Sequence, residues 1–333
     1  MYKVAMFSTK SYDKASFLQH SNHAIEFSFF NTALTVDTAG LARGFHAVCV
    51  FVNDDVTAPT IKRLSEFEVK AVVLRCSGFN NVDIVQAKRN NIRVANVPAY
   101  SPEAVAEHTI ALMLSLNRKI HKAYNRTKEN NFDLQGLLGF NFHKKTAGLI
   151  GTGEIGLAAA RILNGFGVHV LAFDPNPNLS AISSKHDIQY VELDELFERS
   201  DIISLHCPLT EANRHMINHR SIEKMKHGVM LVNTSRGGLI DSQSLISEIK
   251  SGHIGYLAMD VYENENALFF EDRSSVIVQD DVLQRLLTFP NVLITGHQAF
   301  FTKESLGQIA TTTINNLLCF ADNSRCDNEL IVV

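Results

Sequence analysis

The chain carries its most informative glycines in the segment Gly151-Thr152-Gly153-Glu154-Ile155-Gly156. An apolar run at residues 146–150 precedes this segment, and apolar residues at helical spacing follow it as far as residue 166. A second apolar run, residues 168–173, then leads to Asp174. This order of strand, glycine turn, helix, strand and acid predicts a Rossmann-type unit that binds a dinucleotide.

The same segment indicates which dinucleotide is bound. Its glycines allow the main chain to approach a pyrophosphate, which the free N–H groups of a helix N-terminus stabilise. Asp174 would accept hydrogen bonds from the adenine ribose and would repel a 2′-phosphate. No Arg or Lys stands in the Pro175-Asn176-Pro177 that follows. We therefore expect NAD rather than NADP; the alternative is a glycine turn with a purely structural role.

Composition excludes several other classes of protein. The 333 residues, 45% of them hydrophobic, suffice for two domains, and the net charge of −4 does not predict binding to nucleic acid or to a membrane surface. The N-terminus lacks the pattern of a signal peptide, and no apolar run reaches transmembrane length. Five cysteines without CxxC pairing indicate reduced thiols rather than disulfides or a metal site. We expect a cytoplasmic protein without a bound metal.

Apolar runs alternate with amphipathic helical segments along the chain, a pattern typical of parallel α/β architecture. A helix at residues 102–116 is apolar on more than one face, which predicts burial within the fold or against another subunit. A last apolar helix at residues 303–320 needs a partner, and packing on the first domain would make that domain discontinuous. Strands are expected at residues 3–8, 25–30, 47–51, 71–74, 93–97, 201–206, 228–234, 256–261 and 291–295.

Polar side chains of three kinds follow neighbouring strands of the second half. Arg236 comes after one strand, the acids of the segment 259–265 (MDVYENE) come at the end of the next, and His297 follows the last. Because the carboxyl ends of parallel strands meet at one edge, where ligands bind, these groups are expected near one another. Hydride transfer between NADH and a 2-keto acid needs an arginine for the carboxylate and carbonyl, a histidine to donate a proton, and an acid beside that histidine. For His297, one of 14 histidines, a structural or solvated role is the alternative.

Seven motifs together resemble the D-isomer-specific 2-hydroxyacid dehydrogenase family over nearly the whole chain, and most closely its branch of bacterial fermentative D-lactate dehydrogenases. The resemblance rests on the segments 75–83 (RCSGFNNVD), 97–108 (VPAYSPEAVAEH), 148–156 (GLIGTGEIG), 206–210 (HCPLT), 232–237 (VNTSRG), 259–263 (MDVYE) and 296–300 (GHQAF).

The resemblance implies a fold of two doubly wound parallel-sheet domains. A flavodoxin-like catalytic domain would comprise residues 1–100 and 298–333, and a Rossmann NAD-binding domain, residues 101–297, would be inserted in it. The resemblance further implies a homo-oligomer, dimer or tetramer, in which the NAD domains pair through the helix at residues 102–116.

The resemblance also implies a role for each matching residue. Arg236 would bind substrate, Glu265 would be the acid partner and His297 the general acid/base. Main-chain N–H groups of Cys76, Ser77 and Gly78 would hold the substrate carboxylate, and Tyr100 and Phe300 would wall the pocket. Asp260 would lie near the nicotinamide or support Arg236. The cofactor-binding residues would be Gly151, Thr152, Gly153, Glu154, Ile155, Gly156, Asp174, His206, Cys207, Pro208, Thr234, Ser235 and Asp260.

The expected reaction is the reduction of pyruvate to D-lactate by NADH with His297 as proton donor. Glu at position 265 disfavours the formate branch of the family, in which Gln stands there. Reduction of glyoxylate, hydroxypyruvate or 2-ketobutyrate is the enzymatic alternative, since the sequence does not fix the volume of the pocket. A third alternative is a binding protein of the same fold that senses NAD(H), which would lack turnover.

Overall fold

The computed structural model describes residues 1–21, 23–177, 187–265 and 268–330. The chain forms two compact units: the first contains Met1–Ser101 and Phe301–Val333, and the second contains Pro102–Phe300.

The elements are named here in chain order. The strands are β1 (Tyr2–Met6), β2 (Ile25–Phe29), β3 (Ala47–Val50), β4 (Ala71–Leu74), β5 (Arg93–Ala95), β6 (Thr146–Ile150), β7 (His169–Phe173), β8 (Ile188–Tyr190), β9 (Ile202–Leu205), β10 (Val229–Asn233), β11 (Ile254–Met259) and β12 (Val292–Ile294). The helices are α1 (Ser11–His20), α2 (Ala58–Glu66), α3 (Ile84–Arg89), α4 (Pro102–Asn117), α5 (Ile120–Lys128), α6 (Glu154–Gly165), α7 (Leu193–Arg199), α8 (His219–Ile222), α9 (Ser242–Ser251), α10 (Asp281–Leu287) and α11 (Lys303–Ala321).

The first unit is a five-stranded parallel sheet in the order β2-β1-β3-β4-β5, the strand order of flavodoxin-like folds. Every residue of β3 and β4 is buried, as expected for parallel strands covered on both faces. The C-terminal helix α11 packs against α1 and the sheet, where Ile314 and Leu317 join Phe17 in one apolar cluster. The last helix therefore finds its partner in the first unit, which makes this unit discontinuous in sequence.

The second unit is a seven-stranded parallel sheet in the order β12-β11-β10-β9-β6-β7-β8. The order reverses at β6, with β9 on one side and β7 on the other, which is the switch point where ligands bind in open α/β sheets. Helix α4 packs against α6 and against β10, β11 and β12, and nine of its 16 residues are buried. The apolar faces of α4 are thus largely covered within its own unit. The α/β fold with two doubly wound parallel sheets, predicted from the sequence, is confirmed.

The chain leaves the second unit after Phe300 and returns to the first unit at Phe301. The reason is a set of hydrogen bonds: the main-chain N–H groups of His297, Gln298 and Ala299 all donate to Asp260 of the second unit. Residues 297–299 therefore stay with the sheet that carries β11 and β12.

The described residues contain neither a membrane-spanning helix nor a cluster of metal-binding side chains. No described helix is both long and apolar enough to span a membrane. Within the same ranges, no group of three or more His, Cys, Asp and Glu side chains is arranged to hold a metal ion.

Candidate active site

The glycine segment lies at the switch point of the second unit, between β6 and α6. Gly151 has a φ of +101°, and a Cβ added there would stand 2.6 Å from the main chain of His206. A Cβ on Gly156 would stand 2.2 Å from the carbonyl oxygen of Gly151. Both positions therefore require glycine, the first for backbone conformation and approach to β9, the second for packing of α6 on the turn.

Gly153 differs from these two glycines because it borders open space. Helix α6 begins at Glu154 with Gly153 as its N-cap, and both residues are exposed. No atom lies within 4 Å of the place where a Cβ on Gly153 would stand. The N-terminal N–H groups of α6 are thus accessible to a ligand, and the positive end of the helix dipole favours an anion there. This cradle suits the pyrophosphate of a dinucleotide.

Asp174 lies directly after β7, beside the glycine turn. Its Oδ2 accepts hydrogen bonds from the main-chain N–H of Thr152 at 2.8 Å and from the Thr152 hydroxyl at 3.0 Å. Tyr190 donates to the same hydroxyl at 3.0 Å. The half-buried carboxylate is therefore held at the end of β7, the position from which an acid binds the adenine ribose in this fold.

The segment after β9 brings His206, Cys207 and Pro208 against the glycine turn. His206 Nε2 lies 3.0 Å from the hydroxyl of Ser204, while Nδ1 is buried without a hydrogen-bond partner among the described residues. Burial lowers the pKa of His206 to about 4, so the imidazole is neutral near pH 7. Burial raises the pKa of the Cys207 thiol to about 11, which makes this cysteine an unreactive thiol.

Arg236 lies in the loop after β10, half-buried at the carboxyl edge of the sheet. The buried Asn233 holds this loop: its Nδ2 donates to the carbonyl oxygen of Arg236 at 2.8 Å and its Oδ1 accepts from the N–H of Ser235 at 3.0 Å. The Ser235 hydroxyl donates to the carbonyl oxygen of Cys207 at 2.5 Å. These contacts join the loop of Arg236 to the segment after β9.

The next glycine joins the loop of Arg236 to that of Glu265. A Cβ on Gly237 would stand 2.1 Å from the main-chain carbon of Tyr262 and 2.3 Å from the nitrogen of Glu263. The two loops therefore approach each other so closely that only glycine fits. Tyr262 is itself fixed because its buried hydroxyl donates to both carboxylate oxygens of Asp280 at 2.9 Å.

Glu265 and His297 form a hydrogen-bonded pair. The Nδ1 of His297 lies 2.8 Å from Oε1 of Glu265, whose Oε2 accepts from the main-chain N–H of Tyr262 at 2.8 Å. Because the carboxylate only accepts, it fixes the imidazole with the proton on Nδ1 and leaves Nε2 as the reacting nitrogen. The two side chains are 17% and 22% exposed, so the pair is partly shielded from water but not enclosed.

The carboxylate of Asp260 lies beneath the loop that carries His297. Its Oδ1 accepts from the Thr295 hydroxyl at 2.5 Å and from the N–H of Gln298 at 2.9 Å, and its Oδ2 accepts from the N–H of Ala299 at 2.8 Å. Burial alone would raise the pKa of Asp260, but these bonds and His108 outweigh it and lower the pKa below its ordinary value. Asp260 is fully buried, so in this structure its carboxylate supports the loop of His297 rather than Arg236.

The expected substrate residues divide between the two units. Cys76, Ser77 and Gly78 follow β4 in the first unit, where the Cys76 thiol donates to the carbonyl oxygen of Gly78 at 3.3 Å and Asn96 donates to that of Ser77 at 2.8 Å. Tyr100 is half-buried in the same unit. Phe300 is buried at the end of the second unit, the unit that also holds Arg236, Glu265 and His297.

Sequence reasoning missed four residues around the pair of Glu265 and His297. Tyr262 and its partner Asp280 are 18 residues apart. His108 lies in α4, which is distant in sequence from the loop that His108 contacts. Phe270 places its ring centroid 5.6 Å from that of His297. His108 belongs to a quoted motif, but the pattern gave no reason to separate it from the apolar residues of its helix.

Comparison with known proteins gives a consistent result. Residues 110–299 match the family model of the D-isomer specific 2-hydroxyacid dehydrogenase, NAD binding domain. The D-lactate dehydrogenase of Escherichia coli (strain K12) is 54% identical over 331 residues, which cover 99% of this chain and 100% of the relative. The solved apo-structure of the Escherichia coli D-lactate dehydrogenase has a TM-score of 0.90 at 51% identity, covering 99% of this chain and 100% of that one. The pyruvate reductase of Chlamydomonas reinhardtii has a TM-score of 0.93 at 44% identity, covering 98% of each chain.

Proposed function

The chain belongs to the D-isomer-specific 2-hydroxyacid dehydrogenase family, and we propose that within this family it reduces pyruvate to D-lactate. Membership makes it an NAD-dependent oxidoreductase, as the sequence predicted. Pyruvate is favoured because similar proteins over nearly the full chain are named for this reaction, among them D-lactate dehydrogenase at 54% identity and pyruvate reductase at 44% identity.

The hydrogen bond of 2.8 Å between Glu265 and His297 carries the proposal. Reduction of a 2-keto acid requires a proton for the oxygen that becomes the hydroxyl, and His297 would donate it from Nε2. Glu265, which bears negative charge, stabilises the protonated imidazole and fixes its orientation.

Arg236 would bind the substrate carboxylate and polarise the keto group. Its planar guanidinium can pair with two oxygens at once, and its charge persists at any pH at which the enzyme works. The side chain of Asn233 bonds to the main chain of the Arg236 loop, and Gly237 packs closely against the next loop. Arg236 is thereby held at the same sheet edge as Glu265 and His297.

The cofactor residues fit NAD. The open N-terminus of α6 at Gly153 would hold the pyrophosphate, and Asp174 would hold the adenine ribose. Thr152, Glu154 and Ile155 would line this turn, with His206, Cys207, Pro208, Thr234 and Ser235 toward the nicotinamide. The reduced cofactor supplies the hydride when it is bound.

The family resemblance supports further proposed substrate contacts. The turn at Cys76, Ser77 and Gly78 would offer main-chain N–H groups to the carboxylate, since consecutive N–H groups form an anion-binding nest. Tyr100 and Phe300 would contact the apolar part of the substrate. A small methyl group, as in pyruvate, is the side chain that the proposal assigns to that part.

We also infer a homo-oligomer and a cytoplasmic location. Five large apolar side chains of the second unit are more than half exposed, at Ile120, Tyr124, Phe132, Leu134 and Leu138. Such a concentration within 19 residues is typical of a subunit interface. All five cysteines are free thiols, which suits a reducing compartment. Light scattering of the purified protein would test the first inference, with a monomer at micromolar concentration contradicting it.

The proposed reaction is tested by following NADH oxidation at about 340 nm with pyruvate, 2-ketobutyrate, glyoxylate and hydroxypyruvate, followed by chiral analysis of the product. The expected result is the highest kcat/KM with pyruvate and D-lactate as product. A higher kcat/KM with another keto acid would keep the mechanism and change the substrate. NADH binding without turnover of any keto acid would support a sensor instead.

A further inference from the structure

Helix α4 contacts two of the loops that form the candidate active site. His108 and Thr109 are consecutive residues of this helix. His108 lies beside the loop after β12, which carries His297, and Thr109 lies beside the loop after β10, which carries Arg236. The hydroxyls of Thr109 and Thr234 are 2.7 Å apart and both residues are buried.

The contact of His108 is made through one nitrogen. Its Nε2 lies 3.2 Å from the Thr295 hydroxyl oxygen and 3.4 Å from Oδ1 of Asp260. Because the Thr295 hydroxyl donates its own proton to Asp260, the histidine must supply the proton in its contacts with these oxygens. The side chain of His108 is 19% exposed, so this donor is partly shielded from water.

Asp260 transmits this contact to His297. Its carbonyl oxygen accepts from the main-chain N–H of His297 at 2.7 Å, and its carboxylate accepts from the N–H groups of Gln298 and Ala299. His297 has a φ of +53°, a left-handed conformation that costs free energy for a residue with a Cβ and persists only where surrounding bonds impose it. The three hydrogen bonds that Asp260 accepts hold the main chain of residues 297–299 in this conformation.

From this geometry we propose that His108 is a positioning residue for the proton donor His297, acting through Asp260 and Thr295. The inference rests on the proposed role of His297 in 2-keto acid reduction. A donor from α4 fixes the buried carboxylate, the carboxylate fixes the main chain at residues 297–299, and the imidazole of His297 is thereby held against Glu265. The Nε2 of His108 is directed at Thr295 and Asp260, neither of which is assigned to the substrate, so the substitution should affect the chemical step rather than substrate affinity.

The test removes the donor of His108 in three ways. H108L removes it and fills the space with an apolar group, H108N shortens the side chain beyond reach, and H108Q retains an N–H donor at a similar distance. We expect H108L and H108N to lower kcat for pyruvate about tenfold, the order expected for loss of a hydrogen bond to a charged group, with the KM for pyruvate and the Kd for NADH within twofold of wild type. H108Q should restore most of the kcat.

Two further readouts separate positioning from a general effect on folding. With NADH deuterated at the transferred position, the kinetic isotope effect on kcat should rise in H108L and H108N, because a misplaced proton donor slows the chemical step. In the D260N background, H108L should have little additional effect, since both residues act through the same bonds. A loss of folded enzyme would lower kcat but leave the isotope effect unchanged and the two substitutions additive.

His219 provides a matched control within the same unit. Its Nδ1 lies 2.8 Å from Oε1 of Glu248, whose side chain is 8% exposed. This pair joins α8 to α9 and is not bonded to the loop that carries His297. H219L should therefore leave kcat and the isotope effect unchanged.

Each outcome decides one question. A wild-type kcat and isotope effect in H108L would overturn the inference, and if H108L does not fold, the same result in H108N would do so. Additive effects of H108L and D260N, or an equal effect of H219L, would also overturn it. A wild-type enzyme that does not reduce pyruvate or any other 2-keto acid would instead contradict the proposed function, which the assay of the unmodified protein reveals first.

Discussion

Two parts of the carboxyl edge of the second sheet are built by different means. Around β6 and β7 the candidate cofactor site consists mainly of main chain: glycines, a helix N-terminus and one acid within 24 residues of the sequence. Around β10, β11 and β12 the candidate catalytic site consists of side chains drawn from residues 236–297 and braced by residue 108. A ligand held by N–H groups needs backbone geometry, whereas proton transfer needs side chains in exact register.

The glycines show the same difference. At Gly153 the space is open, and a side chain would compete with a ligand. At Gly237 the space is filled by the main chain of Tyr262 and Glu263, and a side chain would push the two loops apart. Glycine therefore leaves room for a ligand at Gly153 and allows close packing of two loops at Gly237.

The largest effect is expected from the catalytic part. H297Q should lower kcat for pyruvate by about 10²–10⁴-fold, the usual contribution of a positioned general acid, while the Kd for NADH changes little because the cofactor cradle is separate. Stopped-flow kinetics and fluorescence titration with NADH would measure the two quantities.

His215 supplies the control for that substitution. It is bonded to Glu263 as His297 is to Glu265, yet it belongs to the segment before α8. H215Q should retain turnover. If H297Q had a kcat similar to that of H215Q, His297 would not be the proton donor.

The second prediction contrasts the two glycines. G237A should lower the free energy of unfolding by about 3 kcal/mol, since a Cβ 2.1 Å from main chain forces the loops apart. G153A should leave the free energy of unfolding within about 1 kcal/mol and raise the Kd for NADH about tenfold, which is a loss of about 1.4 kcal/mol.

Urea unfolding and NADH titration would measure these effects in both variants. Equal losses of stability in the two variants would mean that Gly153 serves the fold as Gly237 does. In that case the distinction between the two parts of the edge would fail.

The third prediction concerns the pH dependence of stability at the cofactor part. His206 has a folded-state pKa of about 4 against an ordinary value of 6.5, so the unfolded chain binds its proton first as the pH falls. Its contribution to stability is present above pH 6.5 and is lost toward pH 4. Between pH 7 and pH 5 the free energy of unfolding of the wild-type protein should fall by up to about 2 kcal/mol more than that of H206Q. If urea unfolding showed the same decrease in the free energy of unfolding for both proteins, the prediction for His206 would be wrong.

The smallest effect is expected from the partner of His297. E265Q replaces the carboxylate that accepts the Nδ1 proton of His297 with an amide that can also donate, so the imidazole is oriented less firmly. The kcat for pyruvate should therefore fall about fivefold, equivalent to about 1 kcal/mol. Steady-state kinetics would measure it.

Glu263 gives the matched control, because it lies two residues away and pairs with His215 and Arg214 instead. E263Q should leave kcat unchanged. A wild-type kcat in E265Q, or an equal loss of kcat in E263Q, would show that the bond between Glu265 and His297 does not contribute to catalysis.

The difference between the two parts also explains what could be read from the sequence. The strand β6, the glycine turn, the helix α6 and Asp174 follow one another, and each leaves a local signal in spacing or residue type. NAD as cofactor and the parallel α/β architecture were therefore predictable. The strands of the first unit were predictable as well, since β3 and β4 are continuous apolar runs. The ends of the five strands differ from the expected ones by at most two residues.

The catalytic part was predictable only as separate residues at separate strand ends. Asp260 illustrates the limit: its position after β11 suggested contact with the cofactor or with Arg236, whereas its carboxylate is buried under residues 295–299. No local pattern connects Asp260 with Thr295 or with His108, because these contacts depend on how β11, β12 and α4 pack.

The sequence by itself thus determined the alternation of strands and helices, the family and the cofactor, since these depend on short-range periodicity and on contiguous motifs. Only the tertiary structure decided where the first unit resumes after residue 300, which nitrogen of His297 pairs with Glu265, and which residues support that histidine. The physical reason is that hydrogen bonds between distant segments are selected by packing in three dimensions. They leave no spacing that can be read along the chain.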